Sequence, residues 1–147
     1  MSSSTVYDAV KSRLMDQLGA SYPIRDFEEI ETAQQQGTTP WLVIEDGSSE
    51  SNLQSVGTPD QNWTLDEGSI IVHVMVPANQ GLSTARTIGG QVRDAMQYQY
   101  LTANPGETLR ILDTTPPDTG LMFDGLWSSM VVFLNYTYRY AVATAAE

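Results

Sequence analysis

The sequence has no cysteine, and its 147 residues include a single histidine, His73, and a single lysine, Lys11. The lack of cysteine excludes disulfides, thiolate metal sites and cysteine nucleophiles, and it agrees with a reducing compartment. No stretch approaches the roughly 20 apolar residues that a membrane-spanning helix needs. Residues 1–5 do not begin a secretory signal with a basic segment and an apolar run. We therefore expect a soluble, intracellular protein without a membrane partner.

Basic residues are scarce, with 7 Lys and Arg against 18 Asp and Glu and a formal net charge of −11. Phosphate recognition depends on clustered Lys and Arg, so specific nucleic-acid binding is not expected, although DNA could still pass along the surface. Apart from Lys11, every base is arginine, which is the base favoured at protein interfaces. The charge balance therefore favours protein partners.

The sequence also lacks a recognisable catalytic set. His73 lies alone on a predicted strand, and the acids of residues 26–31 lack the spacing and central glycine of a calcium-binding loop. The common phosphate-binding, dinucleotide-binding and serine-nucleophile glycine motifs are absent. We expect no enzyme activity, no cofactor and no metal. A carboxylate-based hydrolase that uses Asp66, Glu67 or His73 beside Trp63 is kept as an alternative.

The clearest local pattern is a strand followed by a helix. Residues 69–76 are rich in β-branched side chains and alternate in hydrophobicity, which predicts a strand with one apolar face toward the core. Pro77 ends this strand, and after Gly81 the apolar residues recur at helical spacing over residues 82–100. Gly89 and Gly90 each cost about 1 kcal/mol relative to alanine inside that helix, which predicts a close helix-to-sheet contact or a kink.

The remaining segments complete a single domain. A first helix is predicted from Thr5 to Gly19, with strands at residues 41–45, 108–112 and 126–142, a long polar loop at 47–62, and a short C-terminal tail at 143–147. This order predicts an α+β fold with a largely antiparallel four- to five-stranded sheet and two main helices packed on one face. The strand at 126–142 is unusually long, so it is expected either to bend or to extend beyond the sheet, and its far end is a candidate for pairing with another chain.

Two groups of residues are predicted to bind other proteins. The first is the end of the last strand, a candidate subunit interface because tyrosines combine apolar area with a polar tip. An intramolecular core face is the alternative for the same tyrosines. The second is the polar loop, because long loops in compact domains are often functional. The members of the two groups are Tyr136, Tyr138, Arg139 and Tyr140 for the interface, and Asp46, Gly47, Leu53, Val56 and Trp63 for the partner-binding loop.

Taken together, the chain resembles the tail terminator (tail completion) proteins of long-tailed bacteriophages. The resemblance covers most of the chain and depends on the order of its elements and on short sequence patterns within them. These are the N-terminal helix, the Pro-Trp strand at 40–45, the Glu67-Gly68 turn into the strand at 70–76, the turn at 77–81, the helix at 82–100, the strand at 106–112, and Trp127 before the tyrosine-rich residues 136–140.

The resemblance implies a structural virion protein that forms a homo-hexameric ring on the tail tube, ends tube polymerisation and provides the docking surface for the head. It implies the tail tube protein and a head–tail connector or neck protein as partners. It also implies a location in the tail or neck of the virion, and in the host cytoplasm during assembly. Other neck, connector or tube-related phage proteins and a small acidic adaptor domain are the alternatives.

Overall fold

The computed structural model describes residues 4–27, 40–58, 61–77, 81–101, 107–114, 118–119 and 127–142. The predicted C-terminal tail at 143–147 lies outside these ranges. In chain order the elements are α1 (Ser4–Leu18), β1 (Ile24–Asp26), β2 (Trp41–Thr58), β3 (Gln61–Pro77), α2 (Gly81–Met96), β4 (Tyr100–Leu101), β5 (Thr108–Thr114), β6 (Asp118–Thr119) and β7 (Trp127–Val142).

The strands form one mixed sheet that curls into a half-barrel. Six strands lie side by side in the order β1, β2, β3, β7, β5, β4, and the two-residue β6 pairs separately with β7. The pair β1 and β2 is parallel, whereas the other described pairs are antiparallel. The longest strands, β2, β3 and β7, are neighbours and occupy the second, third and fourth positions in this order.

The prediction of a largely antiparallel four- to five-stranded sheet was therefore wrong. It missed β4 and β6, which have two residues each and are too short to show a period. It also missed the parallel pairing of β1, which a sequence pattern of three residues does not encode.

The described residues of the segment predicted as a polar loop at 47–62, which are 47–58 and 61–62, are instead strand. β2 continues to Thr58 and β3 begins at Gln61, and these two residues are paired across the strands. We call residues 45–58 and 61–69 the arm, because none of its described side chains belongs to the hydrophobic core. Backbone pairing therefore forms a long strand here without the apolar alternation by which strands are usually recognised.

The core lies between one face of the sheet and both described helices. Alternate residues of β3 and β7 point to this face, as the pattern of residues 69–76 predicts. Each fully buried aliphatic side chain contributes about 1.5–3 kcal/mol of transfer free energy. The buried members are Val6, Val10 and Leu14 of α1; Ala85, Ile88, Val92 and Met96 of α2; and Leu42, Ile44, Ile70, Val72, Val74, Val76, Leu109, Ile111, Met130, Val132, Leu134, Tyr136 and Tyr138 of the sheet.

A smaller apolar cluster lies on the opposite face of the sheet. It consists of Trp41, Val43, Met75 and Trp127. The two indole rings meet edge to face with their centroids 5.8 Å apart, an arrangement that aromatic pairs favour. The sheet is thus buried on both faces at this end.

The second helix ends at Met96, before the predicted end at residue 100. Tyr98 has a positive φ of 61°, which stops the helix and turns the chain toward β4. The Tyr98 hydroxyl donates to Asp113 of β5 at 2.7 Å, and the backbone N–H of Ile111 donates to the Gln99 carbonyl at 2.8 Å. These bonds hold the short β4 beside β5.

Two glycines give a prediction about stability. A Cβ atom at Gly68 would lie 2.5 Å from the Ser48 carbonyl oxygen and 2.8 Å from the Tyr136 hydroxyl, whereas a Cβ atom at Gly90 would have no neighbour within 4 Å. We expect Gly90→Ala to raise the free energy of unfolding by about 0.5–1 kcal/mol, because alanine is the better helix former. Gly68→Ala should lower the free energy of unfolding by more than about 1 kcal/mol.

Denaturant unfolding of the two variants beside the wild-type protein measures both effects. Equal stabilities for the two variants would contradict the close packing at Gly68.

Candidate functional site

The tyrosines at the end of β7 divide between the core and the surface. Tyr136 and Tyr138 are 1% and 4% exposed, so they belong to the core of the single chain and offer almost no area to another subunit. Arg139 points to the opposite face and is exposed. Tyr140 is half-buried, and its ring stacks on Tyr138 with the centroids 4.9 Å apart. Of the four residues predicted for the subunit interface, only Arg139 and Tyr140 are therefore accessible to another subunit.

As far as Val142, the last described residue, the end of β7 stays within the sheet, so the extension that was one of the two expectations for this strand is not found among the described residues. The end of β7 pairs with β3 on one side as far as Val142 and with β5 on the other side over residues 136–139. Its backbone groups in this region are therefore shared with two neighbouring strands, and β7 offers no edge to another chain there. Beyond Arg139, residues 140–142 pair with β3 alone among the described strands.

At the arm end of the sheet, polar groups take the place of apolar packing on the face that carries the helices. Asp66 is only 7% exposed, and its carboxylate accepts hydrogen bonds from the Ser51 hydroxyl and, at 3.3 Å, from the Tyr140 hydroxyl. The Tyr138 hydroxyl donates to Glu107. Burial raises the pKa of the Tyr138 phenol well above its usual value, and the neighbouring Glu107 carboxylate raises it further. Burial, followed by the charge of Asp66, also raises the pKa of Tyr140.

The residues named for a hydrolase are not brought together. Asp66 and Glu67 are consecutive on β3, so their side chains lie on opposite faces of the sheet. His73 is 6% exposed, and its Nε2 lies 2.7 Å from Oε2 of Glu45, the carboxylate that pairs with it. Within the described ranges, no group of three or more His, Asp or Glu side chains is placed to hold a metal ion.

The residues predicted for a partner-binding loop lie on strands of the arm. The side chains of Leu53 and Val56 are outside the described part of the structure. Gly47 lies at an irregularity in the pairing between Asp46 and Ser49. A Cβ atom at Gly47 would lie 2.3 Å from Oγ of Ser69, which explains the glycine at this position.

Trp63 joins the two predicted sets of residues. The guanidinium carbon of Arg139 lies 4.5 Å from the centroid of the Trp63 ring, within the range of a cation–π contact. A residue predicted for the interface and one predicted for the partner-binding segment therefore form a single contact on the outer face of the sheet, which we define as the face opposite the helices.

A row of paired residues crosses the outer face from one side of the sheet to the other. Its residues belong to five adjacent strands, and each pairs with the next. In order they are Glu50 of β2, Glu67 of β3, Thr137 of β7, Arg110 of β5 and Tyr100 of β4. The row has two acids on one side and, on the other, an arginine whose guanidinium carbon lies 5.4 Å from the centroid of the Tyr100 ring.

Sequence reasoning missed this row because cross-strand neighbours depend on strand order. Glu50 and Arg110 are 60 positions apart, and no local period connects them. One signal was available for the arm itself, since Pro59 and Asp60 are turn-favouring residues between two segments of equal polarity. That signal predicts a hairpin, but an unshifted register from this turn would pair Glu50 with Ser69. The register shifts between Leu53 and Thr58 bring Glu50 opposite Glu67 instead, and the sequence does not indicate them.

The row ends at β2 on one side and at β4 on the other, and each of these strands has an edge there with no described partner. On the side away from β3, β2 is paired only at residues 42–44, by β1, so its edge at residues 45–58 has no described neighbour. At the other end of the sheet, β4 is the last strand. Beside β4, a shallow groove of about 570 Å³ is lined by Arg13, Met15 and Asp16 of α1 together with Tyr100 and Leu101.

No protein-family model matches the chain, and no curated protein matches it. It does resemble a solved structure whose name states no function. The match has a TM-score of 0.53 and 16% sequence identity, and it covers 100% of this chain and 99% of that chain. At this identity the likeness shows a shared fold alone. Within the described ranges, neither helix is long and apolar enough to cross a membrane.

The buried phenols predict a loss of stability at alkaline pH. The pKa values of Tyr138 and Tyr140 are raised in the folded protein, so the folded state favours the neutral phenols. Their contribution to stability is complete below a pH of about 10, the usual tyrosine pKa, and is lost as the pH rises further. The free energy of unfolding should therefore fall above about pH 10.

Denaturant unfolding at a series of pH values on both sides of the usual tyrosine pKa measures this loss. A Tyr138→Phe, Tyr140→Phe double variant should show a weaker pH dependence, and Tyr98→Phe, which alters an exposed tyrosine, is the control. A double variant with an unchanged pH dependence would show that other groups cause the loss.

Proposed function

We propose that this protein is a structural virion protein of a long-tailed bacteriophage, which forms a ring on the tail tube, ends tube polymerisation and provides the docking surface for the head. The proposal rests on the family resemblance of the sequence together with the form of the sheet. Its partners are further copies of the chain, the tail tube protein, and a connector or neck protein of the head.

The observation that carries the proposal is the presence, among the described residues, of two different open edges in one sheet. The β2 edge at residues 45–58 lies on one side and β4 on the other. When two different surfaces of the same protein bind each other, copies add head to tail until the rotation closes a ring. Unpaired edges are common sites of such association, since their backbone groups remain available for pairing.

The arm supports a role in contacts with partners. Beyond Ile44 and Ile70, the hairpin of β2 and β3 leaves the hydrophobic core, and its described side chains are mostly polar. Polar segments outside the core have low local stability, which suits a surface that adjusts to a partner. We assign contact with the tube or the head to the arm, including Asp46, Gly47 and Trp63.

The charge of the chain is compatible with passage of DNA. Six copies would carry 6 × −11 = −66 formal charges. Acids that faced a central channel would repel the phosphate backbone and limit adhesion during DNA transit. This step applies to the assembled ring and requires no specific contact with the nucleic acid.

The first test of the proposed function is the assembly state. We expect closed rings, alone or after addition of the tail tube protein, when the purified protein is analysed by light scattering and electron microscopy. We also expect the protein to shorten or cap growing tubes when both are mixed. A strictly monomeric protein that leaves tube length unchanged would contradict the proposal and favour an adaptor domain.

A second test addresses Arg139. The Arg139→Glu variant should be folded but unable to form rings, because a carboxylate would replace an exposed guanidinium on the outer face. The matched control is Arg86→Glu, which makes the same charge change on an exposed position of α2. Circular dichroism verifies folding and light scattering gives the mass. Ring formation by Arg139→Glu at wild-type concentrations would remove Arg139 from the interface.

A further inference from the structure

We propose that the acidic side of the outer-face row docks on the basic side of the same row in a second copy of the chain. Glu50 and Glu67 form the acidic side, and Arg110 and Tyr100 form the basic side. This inference rests on the proposed function, since it assigns the contact by which copies join into a ring. It places the two open edges of the sheet against each other in neighbouring subunits.

The acidic side is unbalanced within one chain. Glu50 and Glu67 are directly opposite each other on adjacent strands, and both are exposed. Among the described residues, neither carboxylate has an ion pair or a hydrogen bond with a cationic side chain. Like charges in a direct cross-strand pair destabilise a sheet. A cation from another molecule would relieve this repulsion.

The basic side supplies a suitable cation in a fixed position. Arg110 is exposed, and its guanidinium lies over the ring of Tyr100, which is 65% exposed. Stacking on an aromatic ring orders an arginine side chain before it binds, so less conformational entropy is lost on association. Arginine and tyrosine are also among the residues most enriched at the centres of protein interfaces.

The two sides do not neutralise each other within the chain. Thr137 separates them in the row, and adjacent strands are about 4.8 Å apart. Two such spacings therefore separate the backbones of Glu67 and Arg110, and three separate those of Glu50 and Arg110. The described structure contains no ion pair between these side chains. Both charges therefore remain available to neighbours.

The positions of the open edges match this contact. Glu50 lies on the part of β2 that β1 does not cover, and Tyr100 lies on β4, the last strand of the described sheet. If the β2 edge of one copy followed β4 of another at normal strand spacing, Glu50 would be next to Tyr100 and two strand spacings from the backbone of Arg110. The Arg110 side chain contacts the Tyr100 ring on β4, so its guanidinium is on the side of this incoming edge and not on the side of Glu67 in its own chain. The groove between α1 and β4, which includes the 52% exposed Met15, provides room for the incoming edge.

The charge pattern favours a second copy over other occupants. A nucleic acid would meet Glu50 and Glu67 on the same face, and a chain of net charge −11 repels its own copies unless local bases oppose its acids. The row offers both signs on surfaces that are open at the two ends of one sheet. Each end is thus complementary to the other end of an identical molecule.

Charge reversal on each side tests the contact. Glu50→Arg and Arg110→Glu should each be folded, and each should raise the protein concentration needed for ring formation by at least about tenfold, because like charges would then face each other across the contact. Arg110→Gln removes the charge without adding a carboxylate and should have a smaller effect in the same direction. The matched controls, Asp94→Arg and Arg86→Glu, make closely similar charge changes on exposed positions of α2 and should form rings at the wild-type concentration.

Mixing the two charge-reversed variants provides the sharpest result. In an equimolar mixture, the guanidinium introduced by Glu50→Arg in one chain faces the carboxylate introduced by Arg110→Glu in the other. The next contact pairs the unchanged Glu50 and Arg110, so every contact regains opposite charges. Rings of alternating chains should form, and native mass spectrometry should find both chains in one particle. Circular dichroism of each variant alone verifies its fold.

The outcomes separate this contact from the proposed function. Wild-type rings together with undisturbed rings of Glu50→Arg and Arg110→Glu would overturn the contact and leave the proposed function standing. The same holds if the α2 controls disrupt assembly equally, or if folded variants fail to recover on mixing. A wild-type protein that forms no ring, alone or with tube protein, would overturn both the contact and the proposed function.

Discussion

The pairing of β3 with β7 is the constraint on which the rest of the structure depends. The two strands are antiparallel, and their pairing runs without a break from Asn62 with Val142 to Pro77 with Trp127. Because side chains alternate between faces along a strand, this register assigns the even-numbered residues of both strands to the helices and the odd-numbered residues to the outer face. A slip of one residue would exchange the faces, burying Arg139 and exposing Tyr138. The core and the charged row are therefore set by the same pairing.

The two ends of this long pairing are stabilised in different ways. At one end, aliphatic residues such as Val72 and Val132 pack against the helices on one face, and two tryptophans are buried on the other. At the arm end, the contacts are polar or cationic, with Asp66 receiving hydroxyl donors and Arg139 over Trp63. Such contacts contribute about 0.5–1.5 kcal/mol each, less than a buried aliphatic side chain. The arm is therefore the part of the sheet best able to adapt to a partner.

The sequence predicted those features that have a local period. The apolar face at Ile70 and Val72 and the helical stripe through Ile88 and Val92 were recognisable because each buries one side repeatedly. The arm was missed because its strands are polar, so their pairing leaves no alternation to detect. Tyr138 shows the same limit, since alternation placed it on a face with other tyrosines but did not indicate whether helices or another subunit would cover that face. Cross-strand neighbours depend on strand order, which pattern alone does not specify.

The arrangement of charges on the outer face also bears on the symmetry of association. In a contact between two identical β2 edges, Glu50 and Glu67 of one copy would approach the same acids of the other, and two identical β4 edges would bring arginines together. Both symmetric pairings are therefore opposed by repulsion, whereas the pairing of unlike edges is favoured. A preference for unlike edges produces rings or filaments in place of two-fold dimers. In the proposed contact, the curl of the sheet would turn successive copies in one direction, as closure of a ring requires.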